Sequence, residues 1–366
     1  MRAVVYRGAN DLRLETVPVP RIGPRELLVK VAACGVCPTD IKKIQYATVT
    51  PPRIFGHETA GTIVKVGEGL KADRSRRRKA GVKARIHQLL QFDVGDRVAL
   101  HHHVPCLKCH ACRHRAFAQC DQYKRTGITA GFEPAGGGYA EYVRVMPFVL
   151  PGVVKIPPRN SFLEGAMLEP VNTVLKAVNR LNLLKGDRVL VAGQGPIGLM
   201  FTRLLALRGM RVTATDLIPE RLKLAREFGA VKTLNPQAST PSRSRSHSTR
   251  FDAAVIAVPS DDVVRQAQDL VRGAGQVLLF SHTRRGDSSP MDLAKICVDE
   301  KDLIGSYSAD YLLQDEVADL VFSRKLNVRR LLTHEFPLEK TADAIALASK
   351  PTPAALKIVV NAELNR

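Results

Sequence analysis

The 366-residue chain has no apolar run approaching the roughly 18 residues that a membrane-spanning helix requires. Its opening segment, MRAVVYRGAN, turns polar too soon to form the apolar stretch of a secretory signal, so a soluble, cytoplasmic protein is expected. Internal repeats are absent. Acids are scarce beside bases, 35 Asp and Glu against 55 Lys and Arg, for a formal net charge of +20. A basic excess attracts polyanions, but this one is uneven, with eight Lys or Arg and a single acid between Lys71 and Arg85. Such a run reads as a solvated segment, which makes nucleic acid an unlikely partner. What remains is ordinary: 45% hydrophobic and 25% charged residues, in a length that suits two domains with real cores.

An even cysteine count is missing as well. Seven cysteines without a secretory signal argue against a disulfide framework. Four of them, Cys106, Cys109, Cys112 and Cys120, read C-x2-C-x2-C-x7-C, a spacing that lets four thiolates converge on one tetrahedral zinc without help from a distant element. A closed site of this kind braces a loop and has no open position for substrate. An iron–sulfur cluster is the competing reading, since ligand softness does not separate the two metals. Four uncoordinated buried cysteines form a third.

The pattern of elements changes along the chain. Up to about residue 155, short β-rich runs (RAVVY, ELLVKVAA, GTIVKVG, DRVAL, YAEYVRV) are broken by Gly and Pro, as in an all-β unit. From about 160, strands alternate with helices: DRVLVAG, a helix across PIGLMFTRLLALRG, RVTATD, a helix across PERLKLAREFG, then FDAAVIAV and GQVLLF. That alternation implies βαβ units and a parallel sheet. Two helices and a closing strand, LKIVVN, follow residue 300. Segments 71–91 and 238–250 fit neither pattern and read as loops.

Gly193-Gln194-Gly195-Pro196-Ile197-Gly198 follows a strand and opens a helix, and Asp216 ends the next strand. This is the context a dinucleotide fingerprint demands. Gly193 permits the tight turn, Gly195 lets backbone approach a pyrophosphate, and Gly198 allows helix to pack on strand, with the helix N-terminus toward the phosphates. Asp216 suits a ribose 2′-hydroxyl and repels a 2′-phosphate, so NAD is expected over NADP, with Arg221 as a group that could pair with a phosphate. Elsewhere, Cys37-Pro38-Thr39-Asp40 and Gly56-His57-Glu58 offer a thiolate and an imidazole for a mixed zinc site that needs a third ligand and an open fourth position. Glu169 is the candidate for the third. Each of these residues also has a plain structural reading: Cys37 as small core filler, His57 as a satisfied histidine, Glu169 as an acid near a helix N-terminus.

In their order, Cys37, GHE, the four cysteines, Glu169-Pro170 and the glycine fingerprint resemble, nearly end to end, the zinc-containing medium-chain dehydrogenase/reductase family of alcohol, polyol and threonine dehydrogenases. GHETAGTIVKVG and Gly95-Asp96-Arg97-Val98 are similar to that family's landmarks. The resemblance implies a GroES-like β-rich catalytic domain from residues 1–156 and 300–366, and a Rossmann doubly wound NAD-binding domain from 157–299. It implies two zinc ions: catalytic zinc on Cys37, His57 and Glu169, and structural zinc on Cys106, Cys109, Cys112 and Cys120. Glu58 would sit just behind the catalytic metal and Asp40 would orient His57. Thr39 would begin a proton relay whose next position, a histidine in many relatives, is Lys42 here. Glu-Pro at the third-ligand position is closer to the sorbitol and threonine dehydrogenase branch than to the ethanol-active enzymes, which have cysteine there. The implied reaction is hydride transfer from a secondary alcohol or polyol to NAD, giving a ketone, in a homodimer or homotetramer. A primary alcohol dehydrogenase, a threonine-type dehydrogenase, and a non-catalytic nucleic-acid-associated protein using the basic insert are the alternatives. His101, His102 and His103 are expected as surface loop residues, Cys34 as packed, and Cys297 as buried near a domain or subunit contact.

Overall fold

A computed structural model describes residues 1–70, 92–101, 103–121, 136–237, 250–281, 286 and 288–364. The basic insert at 71–91, His102, and residues 238–249 of the Ser/Arg segment lie outside these. The chain divides into two compact units, Met1–Asn172 with Ala309–Arg366, and Thr173–Ser308. The expected junctions, at 157 and 300, fall earlier than these. The helix Phe162–Ala166 explains the first difference, because it packs on strands of the first unit and so belongs to it.

The first unit is built on a seven-stranded sheet. Its strands are β3 (Leu27–Gly35), β5 (Glu58–Val66), β6 (Arg97–Leu100), β7 (Tyr142–Val145), β8 (Val153–Lys155), β15 (Leu332–Phe336) and β16 (Lys357–Asn361), in the order β15-β16-β3-β5-β6-β8 with β7 also on β3. All pairs are antiparallel except β15 with β16. LLVKVAACG is apolar on both faces, which is why β3 runs through the middle. A small sheet, β1 (Arg2–Gly8) between β2 (Asp11–Thr16) and β4 (Arg53–Ile54), closes on the same core through Val4, Val5, Tyr6 and Phe55.

The second unit is a six-stranded, wholly parallel sheet of β9 (Arg188–Ala192), β10 (Arg211–Thr215), β11 (Lys232–Leu234), β12 (Phe251–Ile256), β13 (Val271–Leu279) and β14 (Asp302–Gly305). The order is β11-β10-β9-β12-β13-β14, so the chain reverses direction across the sheet between β9 and β12. Ligands bind at such switch points in doubly wound sheets, beyond the carboxyl ends of the strands. No helix among the described residues is long and apolar enough to cross a membrane.

Three of the expectations for single side chains need correction. His101 is fully buried, and the side chain of His103 is only 12% exposed. Both follow β6 inward along the sheet, where a surface loop was expected. Cys297 is exposed, because the helix Leu293–Cys297 buries none of its residues. Cys34 is buried, as expected, with its thiol pushed up to about 12 by burial.

The returning C-terminal segment is pinned to the N-terminal part by Glu164. Ser161 and Glu164 form a capping box at the helix Phe162–Ala166, while Asn160 and Arg324 donate to Glu164 Oε1 at 3.1 and 3.0 Å. Burial alone would raise the Glu164 pKa, but Arg324, the Ser161 N–H and Asn160 outweigh it and hold the carboxyl below its ordinary value. Its stabilising contribution is therefore full above the usual glutamate range and lost as pH falls through the lowered value. Glu164→Gln should melt well below wild type at neutral pH, and the gap should shrink as pH falls to about 3. A gap independent of pH would show that the charge contributes nothing.

Candidate metal and dinucleotide sites

Among the described residues, two groups of side chains place ligand atoms within 4.8 Å of one another: Cys106, Cys109, Cys112 and Cys120, and Cys37, His57 and Glu58. Four sulfurs bound at about 2.3 Å to one tetrahedral ion stand about 3.8 Å apart. Here Cys109 Sγ lies 3.4 Å from Cys112 Sγ, and Cys106 Sγ 3.9 Å. The backbone N–H groups of Lys108 and Cys109 lower the Cys106 thiol to about 6, toward the thiolate a metal needs. The four cysteines thus fit a closed zinc site, and their geometry matches the spacing argument.

The second group grows from local signals. Cys37 caps the helix Pro38–Tyr46, whose first position is Pro38 and whose buried face is Asp40, Ile41 and Ile44. His57 immediately precedes β5 and Glu58 opens it. Asp40 Oδ1 lies 3.1 Å from His57 Nδ1, and with the Nδ1 proton given to Asp40 the ring's other nitrogen is left as a metal-binding lone pair. Burial disfavours the charged ring, but Asp40 and Cys37 overcome it and raise the His57 pKa. The triad offers sulfur, nitrogen and oxygen in a set of three, which is the donor chemistry of an open zinc site.

The third member of this group is Glu58, the residue expected just behind the metal. Glu169, in the first turn of the helix Leu168–Val178, lies outside the group, and its Oε1 is 3.1 Å from His103 Nδ1. Glu58 stands in the group instead, because it adjoins His57 in sequence at the start of one strand and reaches the same point. Thr39 and Lys42 are half-buried on the helix that Cys37 caps, and burial lowers the Lys42 pKa despite the opposing charge of Cys37.

One residue of this cluster escaped the sequence reading. Lys357 is 5% exposed, and its ammonium donates to Glu58 Oε1 at 2.7 Å and to the Val36 carbonyl at 2.9 Å. The signal was a lone cation opening the apolar strand KIVVN.

In the second unit, Gly193 follows β9 with φ of +90°, in the left-handed region that favours glycine. A Cβ at Gly198 would stand 1.7 Å from the Gly193 carbonyl oxygen, so the helix Pro196–Leu207 can meet the strand only without one. Around Gly195 nothing lies within 4 Å of a Cβ, which leaves the space a pyrophosphate needs at that helix N-terminus. Pro196 occupies the first helical position and Ile197 the next. Gln194 is fully buried, accepting from Thr202 and donating to the Val191 carbonyl, so the loop is held from within. Asp216 Oδ2 accepts from the Gln194 N–H at 2.6 Å and Oδ1 from the Ile218 N–H at 2.9 Å. Arg221 is half-buried in the helix Pro219–Glu227 that follows. The fingerprint residues therefore fit a dinucleotide.

A family model described as the alcohol dehydrogenase GroES-like domain matches residues 23–158, and one described as zinc-binding dehydrogenase matches 196–323. The chain is 28% identical to a sorbitol dehydrogenase of Bombyx mori, covering 99% of this chain and 98% of the relative. It is 27% identical to one of Bacillus subtilis, covering 98% and 97%. Among solved structures, an alcohol dehydrogenase from Thermus sp. ATN1 superposes with a TM-score of 0.81 at 28% identity over 99% of both chains. A protein described only as a zinc-binding dehydrogenase, from Sinorhizobium meliloti 1021 and bound to NADP, gives 0.83 at 25% identity over 98% of both.

Gly198→Ala should lower the melting temperature and weaken dinucleotide binding together, since overpacking against backbone costs about 1–3 kcal/mol. Unchanged NAD titration by fluorescence would show that the close approach is not needed.

Proposed function

Because the chain belongs to the zinc-containing medium-chain dehydrogenase/reductase family, a family of oxidoreductases, we propose that it oxidises a secondary alcohol or polyol to a ketone with NAD as hydride acceptor. The observation that carries this reading is the convergence of Cys37, His57 and Glu58, whose ligand atoms all lie within 4.8 Å of one another. Bound there, zinc supplies Lewis-acid polarisation of a substrate hydroxyl, and bound NAD accepts the hydride.

The protein's own residues do the rest. Asp40 fixes the tautomer and plane of His57. Thr39 offers a hydroxyl close to Cys37, and Lys42, one turn further on the same helix, passes the proton outward. An ammonium lowered by burial exchanges its proton more readily near neutral pH than an ordinary lysine. Glu169 and His103 form a buried acid–imidazole pair on the same unit. Gly193, Gly195, Pro196, Ile197 and Gly198 cradle the pyrophosphate, and Asp216 meets the adenosine ribose. The four cysteines hold a second, structural zinc. The reading carries with it a cytoplasmic homodimer or homotetramer. It also reassigns the third metal ligand from Glu169 to Glu58.

Three measurements test it. Metal analysis of the purified wild-type subunit should give two zinc ions, with Cys109→Ser losing one of them along with much of its thermal stability, whereas His57→Ala should abolish turnover with the fold nearly intact. One zinc, or iron, in the wild type would refute the two-site reading. A panel of sugars, polyols and amino alcohols followed by NADH absorbance should favour secondary hydroxyls, and a preference for primary alcohols or threonine would move the enzyme to those branches. Asp216→Ser should raise the kcat/KM ratio of NADP to NAD by about tenfold. That neighbour bound to NADP makes this comparison worth running on the wild type too, and an unchanged ratio would place cofactor choice elsewhere, with Arg221 the first residue to examine.

A further inference from the structure

We propose that Lys357 is a positioning residue for the catalytic metal: by holding the carboxylate of Glu58 through both oxygens, it keeps the third ligand partly withdrawn and so makes the ion at Cys37, His57 and Glu58 exchangeable. The inference rests on reading those three residues as the zinc site.

The pairing has a place built for it. Lys357 opens β16, and Glu58 opens β5; β3 lies between them, with Gly35 paired to Glu58 on one side and to Val359 on the other. A Cβ at Gly35 would stand 1.8 Å from Glu58 Oε2 and 3.0 Å from Lys357 Cε. The contact between carboxylate and ammonium therefore fills the volume that any other residue would give to its side chain. The Lys357 ammonium donates to Glu58 Oε1 at 2.7 Å and to the Val36 carbonyl at 2.9 Å, and it also touches Oε2. Both residues are buried. The other acids of the cluster already have basic partners, Asp40 in His57 and Glu169 in His103.

The charges fix the sign of the effect. In the metal-free protein the ammonium compensates a buried carboxylate. When a dication is bound by Glu58, the same ammonium becomes a like charge close by and competes for the same oxygens. Lys357 thus stabilises the metal-free state more than the loaded one. By linkage, removing it tightens the metal. The energetic path runs through Glu58, so the effect must vanish when Glu58 can no longer carry charge.

The test is zinc loss from the loaded full chain to an excess of chelator, followed with a zinc indicator, with melting curves to verify folding. Loss from the four-cysteine site is the internal control and should be the same in every variant. Lys357→Met should slow loss from the catalytic site by about fivefold or more, a typical size for coupling between two bound charges. Lys357→Arg should stay near wild type. Lys357→Gln keeps a donor for Val36 and Glu58 without the charge, so it is less prone to misfold than the methionine variant and carries the same expectation. In a Glu58→Gln background, Lys357→Gln should change nothing, which the double-mutant cycle reads directly. Unchanged or faster loss in the neutral variants would overturn the proposal, as would an equal slowing in the Glu58→Gln background. Wild-type protein that holds zinc only at the four cysteines would overturn the underlying site assignment instead.

Discussion

A buried carboxylate needs a basic group in contact, and around the candidate metal site of the first unit three such acids stand together. Asp40, Glu58 and Glu169 are each at most 4% exposed. Each meets a different partner: His57, Lys357 and His103. Removing one member of any pair would leave the other buried and uncompensated, at a cost far above that of a lost surface ion pair. The partners come from the start of β5, the start of β16 and the chain just after β6, so the ion pairs also tie strand ends to one another. Burial holds two opposing tendencies in balance at Lys357, where desolvation pushes the pKa down and the charges of Glu58 and Cys37 push it above the ordinary lysine value. The lysine therefore enters the core as a cation.

The second unit solves a different problem, the approach of backbone to backbone and of backbone to an anion, and it uses the absence of side chains to do so. Gly193 and Gly198 let β9 and the following helix touch, and Gly195 leaves open space at the helix N-terminus. Asp216 serves the same loop from the neighbouring strand, since its two oxygens take the Gln194 and Ile218 N–H groups. A carboxylate so engaged is held in one orientation at the end of β10.

The parts of this protein that could be read from its sequence are the ones carried by short-range spacing. C-x2-C-x2-C-x7-C converges because neighbouring residues cannot be far apart, and the glycine fingerprint works because a strand, a turn and a helix follow in order. Cys37 and His57 were legible as candidate ligands from their local motifs and their sequence order. The grouping of Glu58 with them was not, because Glu58 and Glu169 have the same chemistry and only the fold shows which carboxylate oxygen lies within 4.8 Å of the other two. His101 and His103 were misjudged for a related reason. A run of three histidines looks polar, while their burial depends on where β6 leads the chain. Lys357 lies 299 residues from Glu58, a separation at which no spacing argument operates.

That separation has a physical meaning for how the site comes to exist. Cys37, His57, Glu58 and Glu169 all lie within the first 172 residues, yet the counter-ion of Glu58 belongs to a strand that arrives only when the chain returns after Ala309. The same return brings Arg324 to Glu164. An isolated N-terminal segment would own the candidate ligands but would carry Glu58 without the buried cation that shares its oxygens. Pairing β16 with β3 thus does more than extend a sheet: it brings a cation to a carboxyl that burial pushes above its ordinary value, and it does so at the one place on β3, Gly35, where no side chain stands in the way.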